Sequence, residues 1–292
     1  MTALDIDKRK LERLLSAVLG ESVRLSSAEP LGESSRQTPW RVDVEVGGVR
    51  TSILLRMGEG CSSNEVTALR AMQNHPIPTP RLLHWDPDGV VLGAPVFVSE
   101  FIEGEPLLDA LTAGEPWAEE MYIDTVYGLQ SIKPGDLPDG AAAQLETGNS
   151  ALDVLEDAYK DFAEPDGLIR RAYSRLKETQ PELPAVRFSN GDLWPENLLV
   201  RDRALVGVID WQHAGLSDPI YEFLLPFFLV PELRGRGIEE RYCERTGFDP
   251  RMLHWYHGLE FFDSLRWVLK TGEPYMIHTA DSLRGDLTRW LA

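Results

Sequence analysis

The chain has 292 residues, of which 43% are hydrophobic and 26% are charged, and its formal net charge at pH 7 is -18. A chain of this length can form one large domain or two lobes with substantial cores. The acidic balance argues against non-specific binding to nucleic acid, which needs Lys and Arg to replace phosphate counterions. It is compatible with a cationic ligand, although net charge bears first on solubility.

The cysteines and the apolar runs favour a reducing compartment and no membrane span. Cys61 and Cys243 lie far apart and form no CxxC pair, which fits free thiols better than a disulfide scaffold. The segment MTALDIDKRK at the start lacks the apolar region of a signal peptide. The run FLLPFFLV at 223–230 is too short to span a bilayer and contains a proline. We therefore expect a cytoplasmic protein that does not enter the membrane.

The first third of the chain predicts a helix, then a small antiparallel sheet that carries a second helix. Apolar residues follow helical spacing from Leu11 to Leu19, and Gly20 indicates the end of that helix. WRVDVEV at 40–46 alternates strictly, a Gly-Gly pair follows it as a hairpin signal, and VRTSILLRM returns as the partner strand. The segment at 64–73 predicts a helix, and RLLHWD and PVFVSEFI predict two further strands.

Beyond about residue 104 helical patterns dominate, and the one convincing β signal is the segment 189–211. The predicted helices cover residues 116–132, 151–163, 167–179, 218–229, 250–271 and 281–291. Strands followed by helices indicate the α+β class with two lobes. We predict an N-terminal lobe at 1–103, with an antiparallel sheet plus a helix, and a larger, mostly helical C-terminal lobe at 104–292. A cleft between unequal lobes is a common ligand site.

Three polar residues in the segment 189–211 suggest phosphoryl transfer. Asn197 directly precedes the apolar run LLV, and Asp210 ends the run LVGVI, so a short turn between them would place both side chains at one end of a hairpin. An amide oxygen beside a carboxylate suits Mg²⁺. Asp192, on the preceding loop, would remain free to orient or deprotonate a hydroxyl, which is what phosphoryl transfer needs in addition to the metal.

A structural interpretation of the same loop stays open on these residues alone. Asp-Leu-x-Pro-x-Asn is also a turn pattern in which the asparagine caps backbone groups. One D-x-x-x-x-N has little specificity. The catalytic interpretation is favoured by its combination with two short strands and with an aspartate 18 residues after Asp192.

The segments NGDLWPENLLV at 190–200 and GVIDWQHAGLSDPIYEF at 207–223 resemble a family signature. The family is that of the aminoglycoside phosphotransferase-like small-molecule kinases, within the protein-kinase-like superfamily. Its pattern reads H-G-D-L-x-x-x-N, then I-D-W/F-x-x-A-x-x-x-D-P, and the resemblance covers nearly the whole chain. It implies that Asp192 is the catalytic aspartate, that Asn197 and Asp210 bind Mg²⁺, and that Asp218 braces the catalytic loop.

The resemblance also implies a nucleotide-binding set in the N-terminal half. Arg56 lies where the family has a phosphate-binding lysine or arginine, and Glu65 on the next helix would be its ion-pair partner. VSEFIEG at 98–104 is similar to the inter-lobe hinge whose backbone binds the base, and the segment 31–42 takes the place of the phosphate-covering loop. The implied set is Arg56, Glu65, Ser34, Ser35, Glu100 and Ile102.

The chain departs from the family pattern at three positions. Asn190 stands where the family has histidine, a residue with an architectural role in such folds. Arg56 replaces the lysine of many members and offers a planar fork in place of a point charge. The covering loop has one glycine, Gly32, so an ordinary hairpin turn describes it as well as a phosphate loop does.

A stripe on the predicted helix at 250–271 bears on the acceptor. Its members are spaced i, i+4, i+7 and i+11 and share one face: Tyr256, Glu260, Asp263 and Trp267. Two carboxylates flanked by aromatic rings would suit a cationic group. The alternative is that the rings pack in the core while the carboxylates pair with Arg266 or Lys270.

The sequence thus predicts a Mg²⁺-dependent phosphotransferase that moves the γ-phosphoryl group of ATP or GTP to a hydroxyl of a small molecule, and the stripe on 250–271 leaves a cationic acceptor open. The alternative is a catalytically silent kinase-like module that binds nucleotide or small molecules. A protein kinase is disfavoured because no A-P-E-type segment follows Asp210. The acceptor, the preferred nucleotide and the oligomeric state do not follow from the sequence, because function resides in the acceptor site rather than in the fold.

Overall fold

A computed structural model describes residues 7–32 and 38–292. The chain divides into two compact units. The N-terminal unit contains the chain up to Pro106 together with Pro138–Leu145 and Asn197–Ala214. The helical unit contains Leu107–Leu137, Glu146–Glu196 and Gly215–Ala292. The domain boundary at residue 103 stays a prediction.

The N-terminal unit is built on a five-stranded antiparallel sheet. Its strands are β1 (Val23–Pro30), β2 (Trp40–Val46), β3 (Val49–Met57), β4 (Leu82–Asp86) and β5 (Val96–Glu100), in the order β1-β2-β3-β5-β4. Two helices belong to this part, α1 (Lys8–Leu19) and α2 (Ser63–Met72). The strands β2 and β3 have the predicted bounds, whereas β1 was not predicted.

The apolar face of this sheet packs against α1. Leu11, Leu14 and Leu15 of the helix join residues of β1, β2, β3 and β5 in one buried cluster. Val42 and Val44 are fully buried there, while Asp43 between them lies on the opposite face, as the strict alternation predicts. Gly20 ends α1 in the left-handed conformation that glycine adopts without strain.

A second, three-stranded sheet completes the N-terminal unit. It has the order β10-β9-β6, with β6 at Glu105–Pro106, β9 at Leu198–Arg201 and β10 at Ala204–Val208. The turn between β9 and β10 places Asp202 and Arg203 at positive φ, as a tight two-residue hairpin requires. The short helix α5 (Ala141–Gln144) also belongs to this unit.

The helical unit contains the remaining helices and a small sheet. The helices are α3 (Leu107–Thr112), α4 (Pro116–Gln130), α6 (Ala151–Asp161), α7 (Gly167–Glu178), α8 (Pro219–Leu229), α9 (Ile238–Thr246), α10 (Pro250–Thr271) and α11 (Ala280–Leu291). The sheet has the order β7-β11-β8, with β7 at Glu146–Thr147, β8 at Arg187–Ser189 and β11 at Gly215–Ser217. The helices α3 and α9 and all three strands were not predicted. Within the described ranges, no helix is long and apolar enough to cross a membrane.

The long helix α10 lies at the centre of the helical unit. It contacts α6, α7, α8 and α11. Its Trp255 is buried and donates from Nε1 to the carbonyl oxygen of Leu176, 2.8 Å away. Gly258 is required by close packing, because a Cβ there would lie 2.3 Å from the ring of Trp290.

Candidate active site

The β9–β10 hairpin places Asn197 and Asp210 at the same end. Leu198 pairs with Val208 in the antiparallel register, and the amide of Ile209 donates to the carbonyl oxygen of Asn197, 2.9 Å away. Asn197 therefore directly precedes one strand while Asp210 follows the other by two residues. Their amide and carboxylate oxygens are of the type that Mg²⁺ prefers, with phosphate and water oxygens completing the coordination. The donor set thus fits the implied ion.

Asp210 has an unusual backbone conformation. Its φ is 55°, in the left-handed region that non-glycine residues rarely adopt. The next residue fixes the segment, because the buried indole of Trp211 donates to the carbonyl oxygen of Val208, 2.8 Å away. Strain held in place by packing in this way is common at functional sites. The observation supports a functional role for Asp210.

Arg56 and Glu65 form the predicted ion pair in the interior of the N-terminal unit. Arg56 Nε lies 3.5 Å from Glu65 Oε2, and Arg56 Nη2 lies 3.6 Å from Asp210 Oδ1. Arg56 is supplied by β3, and Glu65 by the first turn of α2, which Ser62 caps. Burial raises the pKa of Glu65 to about 7, while the charge of Arg56 opposes that rise. The arginine is therefore anchored on one side and faces Asp210 on the other.

The segment predicted to bind the nucleotide base, 98–104, begins within β5 and continues beyond its end. Glu100 is the last residue of that strand, and its carboxylate pairs with Arg81 at 2.9 Å. Ile102 packs against the hairpin at Gly207, where an added Cβ would lie 2.5 Å from Ile102 Cδ1. Ser34 and Ser35, the predicted phosphate contacts, lie outside the described residues. The base-binding and phosphate-binding roles of these residues stay predictions.

The helical unit positions Asp192 on a short loop after β8. Asn190 is fully buried, and its Oδ1 accepts from the amide of Asp192 at 3.2 Å. Gly191 between them has a φ of 81°, and the carbonyl oxygen of Asp192 accepts from the amide of Trp194 at 2.7 Å. Asn190 thus supports the loop from inside, which explains how asparagine replaces the histidine of the family pattern.

Glu222 on α8 is a loop contact that the sequence analysis missed. Its Oε1 accepts from Ser189 Oγ at 2.8 Å and from the amide of Gly191 at 3.0 Å. The amide of Asn190 also donates to this carboxyl group. The side chain is buried, and the pKa of Glu222 is raised by that burial to about 7. Its position four residues after Asp218, at the start of a helix, was the available signal.

Asp218, the predicted brace, makes other contacts. Its Oδ1 caps α8 by accepting from the amide of Ile220 at 3.0 Å, and its Oδ2 accepts from the hydroxyl of Tyr256. Burial raises the pKa of Asp218, and the hydrogen bond from Tyr256 lowers it. In the helical unit Glu222 therefore braces the loop that carries Asp192, while Asp218 caps α8 and ties it to α10.

The predicted acceptor stripe on α10 divides into two groups. Tyr256 is fully buried with its hydroxyl engaged by Asp218, so it offers no face to a ligand. Asp263 pairs with Arg266 at 2.7 Å, and the ring of Trp267 lies 5.4 Å from that of Tyr275. For Asp263 and Trp267 these contacts are of the kind expected if the stripe serves packing and internal ion pairs.

Glu260 is the member of the stripe that packing does not explain. Among the described residues it makes no ion pair, and it accepts a hydrogen bond from Ser264. Burial, followed by the charge of Asp263, raises the pKa of Glu260 to about 7. The hydroxyl of Tyr221 is influenced by the same carboxylates and has no hydrogen-bond partner in the described part of the chain. The contacts of the described residues thus leave Glu260 without a counter-charge and the buried Tyr221 hydroxyl without a hydrogen-bond partner.

Solved structures match nearly the whole chain. A Ralstonia eutropha protein named as an aminoglycoside phosphotransferase is 17% identical, with a TM-score of 0.72 over 98% of this chain and 97% of its own. A thermostable variant of aminoglycoside phosphotransferase APH(4)-Ia, solved with AMP-PNP and hygromycin B, is 18% identical, with a TM-score of 0.65 over 97% of this chain and 98% of its own. Aminoglycoside 2'-phosphotransferase-IIIa, solved with GDP, is 15% identical with a TM-score of 0.59 over 98% of both chains. The predicted α+β, protein-kinase-like fold is confirmed.

Curated relatives match over a shorter stretch. Aminoglycoside 3'-phosphotransferases of Enterococcus faecalis and Staphylococcus aureus are each 31% identical over 135 residues, which is 43% of this chain and 48% of theirs. The chain thus spans about half the length of the curated relatives that it matches. The model of the phosphotransferase enzyme family matches residues 61–256, more than half of the chain and a range that includes both signature segments. The chain therefore belongs to the phosphotransferase enzyme family.

Proposed function

We propose that this protein transfers the γ-phosphoryl group of ATP or GTP to a hydroxyl group of a small molecule, with Mg²⁺. The observation that carries the proposal is the arrangement around Asp210. This strained aspartate shares one end of a hairpin with Asn197 and lies 3.6 Å from the buried Arg56. Two hard oxygen donors beside a fixed guanidinium suit a metal-bound triphosphate.

Each residue has a distinct part in the proposed reaction. Asn197 and Asp210 would hold the ion, which supplies neutralising charge to the phosphate oxygens. Arg56 would donate to a phosphate oxygen while Glu65 keeps its side chain in place. Asp192 would orient the acceptor hydroxyl and take its proton. The acceptor oxygen then bonds to the γ-phosphorus as the bond to the leaving nucleoside diphosphate breaks.

Nucleoside-diphosphate release tests the reaction. We expect Mg²⁺-dependent turnover with one acceptor in a panel of aminoglycosides, macrolides, choline, ethanolamine, homoserine and sugars, with ATP and GTP assayed separately. Asp192→Ala should lose at least about a thousandfold in kcat while nucleotide affinity changes little. Full activity in that variant would contradict the mechanism. Nucleotide binding without turnover would favour the silent module.

The metal ligands are tested separately. Asp210→Asn and Asn197→Ala should each raise the Mg²⁺ concentration needed for half-maximal activity by about tenfold or more, because the first removes the negative charge of one ligand and the second removes the other ligand. Asp202→Asn, an exposed change in the β9–β10 turn, is the matched control and should leave that concentration unchanged. An unaltered Mg²⁺ requirement in both ligand variants would remove them from the proposed metal site.

For the acceptor, we propose that a positively charged group binds beside Glu260, where the nearby carboxylate of Asp263 adds negative charge. The support is a carboxyl group without an ion-pair partner among the described residues, next to the hydroxyl of Tyr221. Glu260→Gln with Asp263→Asn should raise the acceptor KM and leave the nucleotide KM alone. Glu244→Gln, an exposed change on α9, is the control. An unaltered acceptor KM would contradict this site.

We also propose a cytoplasmic location for the protein, because ATP and GTP are supplied there.

A further inference from the structure

The guanidinium group of Arg56 has a third neighbour besides Glu65 and Asp210. With its amide oxygen facing the arginine, the side chain of Gln212 accepts hydrogen bonds from Nη1 and from Nη2, the latter at 3.0 Å. The side chain of Arg56 is only 8% exposed, so its partners are supplied mainly by the protein. Its donors thus face two carboxylates and one neutral amide.

Gln212 is itself fixed to the start of α2. The backbone carbonyl oxygen of Gln212 accepts from Ser62 Oγ at 3.2 Å. The same hydroxyl oxygen caps α2 by accepting from the backbone amide of Glu65 at 3.4 Å. The amide of Trp211 donates to the carboxylate of Glu65. The segment that carries Asp210 is therefore joined to α2 through backbone and side-chain hydrogen bonds. Arg56 lies between the two, in contact with Glu65 of α2 and with Asp210 and Gln212 of the segment.

We propose that Gln212 is a positioning residue that orients Arg56 for phosphate binding and makes position 56 selective for arginine. This inference rests on the proposed function and deepens it. A lysine ammonium is a point charge without a planar fork, so it lacks the paired Nη groups that the Gln212 oxygen faces and the separate Nε group beside Glu65. The arginine at this position, a departure from many family members, is explained by the glutamine that follows the metal aspartate by two residues.

The neutrality of Gln212 is part of the inference. Glu65 and Asp210 already place two negative charges beside one guanidinium group. A third carboxylate would neutralise it further and repel an incoming phosphate, whereas an amide oxygen supplies hydrogen bonds without added charge. The residue at 212 therefore holds the arginine without weakening its attraction for the nucleotide.

A double-mutant cycle on Mg²⁺–ADP and Mg²⁺–AMP-PNP binding tests the inference. Gln212→Ala should raise the dissociation constant about tenfold, the size expected when a hydrogen bond to a charged group is lost. In the Arg56→Lys background the same change should have less than about a twofold effect, because the partner is gone. Gln212→Glu should weaken binding more than Gln212→Ala. The acceptor KM should not change in any variant, which separates positioning of Arg56 from general structural damage.

The control is Gln73→Ala, which removes an exposed glutamine at the end of α2 and should leave nucleotide affinity unchanged. Additive effects of Gln212→Ala and Arg56→Lys, or wild-type affinity in Gln212→Glu, would overturn the inference. Wild-type protein that binds no nucleotide would instead contradict the proposed function. In that event the free energy of unfolding of the same variants is measured in urea without ligand. Additive losses of stability would overturn the Gln212–Arg56 contact, whereas non-additive losses would support it.

Discussion

The buried carboxyl group of Glu222 should make the stability of the protein fall as pH rises towards neutrality. One oxygen accepts from Ser189 and Gly191, while the other has no hydrogen-bond partner among the described residues. The charge of Asp192 on the loop opposes the ionisation of Glu222. The nearby hydroxyls of Tyr122 and Tyr242 are neutral in this pH range, because burial raises the pKa of both, so they supply no positive charge to offset it. Burial raises the pKa of Glu222 from its ordinary value of 4.5 to about 7.

The size and sign of the effect follow from proton binding. Between the two pKa values the folded protein holds a proton at Glu222 that the unfolded chain has released, so unfolding becomes easier as pH rises through this window. The stabilising contribution is fully present below about pH 4.5 and is lost as pH approaches 7. Raising a pKa by this amount corresponds to about 3 kcal/mol. Glu222→Gln keeps the accepting oxygen for the loop amide but cannot ionise.

Urea unfolding of the two proteins between about pH 5 and pH 8 measures this difference. The free energy of unfolding of Glu222→Gln should rise relative to that of the wild type as pH increases, by up to about 3 kcal/mol across the window. Glu232→Gln, an exposed change in the same unit, is the matched control. A constant difference for Glu222→Gln would refute the reasoning, because the carboxyl group would then titrate alike in the folded and unfolded protein.

Two further predictions concern buried contacts of the helical unit. Tyr256→Phe removes the hydroxyl that donates to buried Asp218 and should lower the free energy of unfolding by about 1–3 kcal/mol, measured by chemical denaturation. Glu119 accepts from Arg236 and from Arg241, each at 2.5 Å, so Glu119→Gln should cost about 2 kcal/mol. That is below the value for a fully buried pair because both arginines are partly exposed. A thermal melt of Glu119→Gln indistinguishable from wild type would show that the pair contributes nothing.

The N-terminal hairpin could be predicted because every local signal agreed. Strict alternation in β2, the Gly-Gly turn and the apolar return strand all indicate one register, and that register is observed, with Val46 opposite Val49. The strand β1 could not be predicted in the same way. Its sequence VRLSSAEP mixes small, charged and apolar residues without alternation, and it becomes a strand because β2 offers it an edge. Tertiary pairing overrides propensity there.

In the candidate site, too, local patterns could be predicted from the sequence whereas contacts between distant residues could not. The spacing of Asn197 and Asp210 predicts a shared end of a hairpin, because the intervening strands are short and their turn is local. The choice between Asp218 and Glu222 as brace depends instead on a contact between residues 33 positions apart, from Ser189 to α8. Both carboxylates lie near the start of one helix, and the pattern contains nothing that orients either towards the loop.

The stripe on α10 shows why a shared helical face does not by itself define a ligand site. Tyr256 and Glu260 lie one turn apart on that face, yet Tyr256 is enclosed by Asp218 while Glu260 has no cation near it in the described structure. The two residues differ in their neighbours on α8. The residue that caps α8, Asp218, accepts a hydrogen bond from Tyr256, whereas the neighbour of Glu260 is the hydroxyl of Tyr221, which has no hydrogen-bond partner among the described residues. A buried carboxylate without a counter-charge is costly unless a ligand supplies one. On this face of α10, Glu260 is therefore the position at which the proposed acceptor site is to be tested.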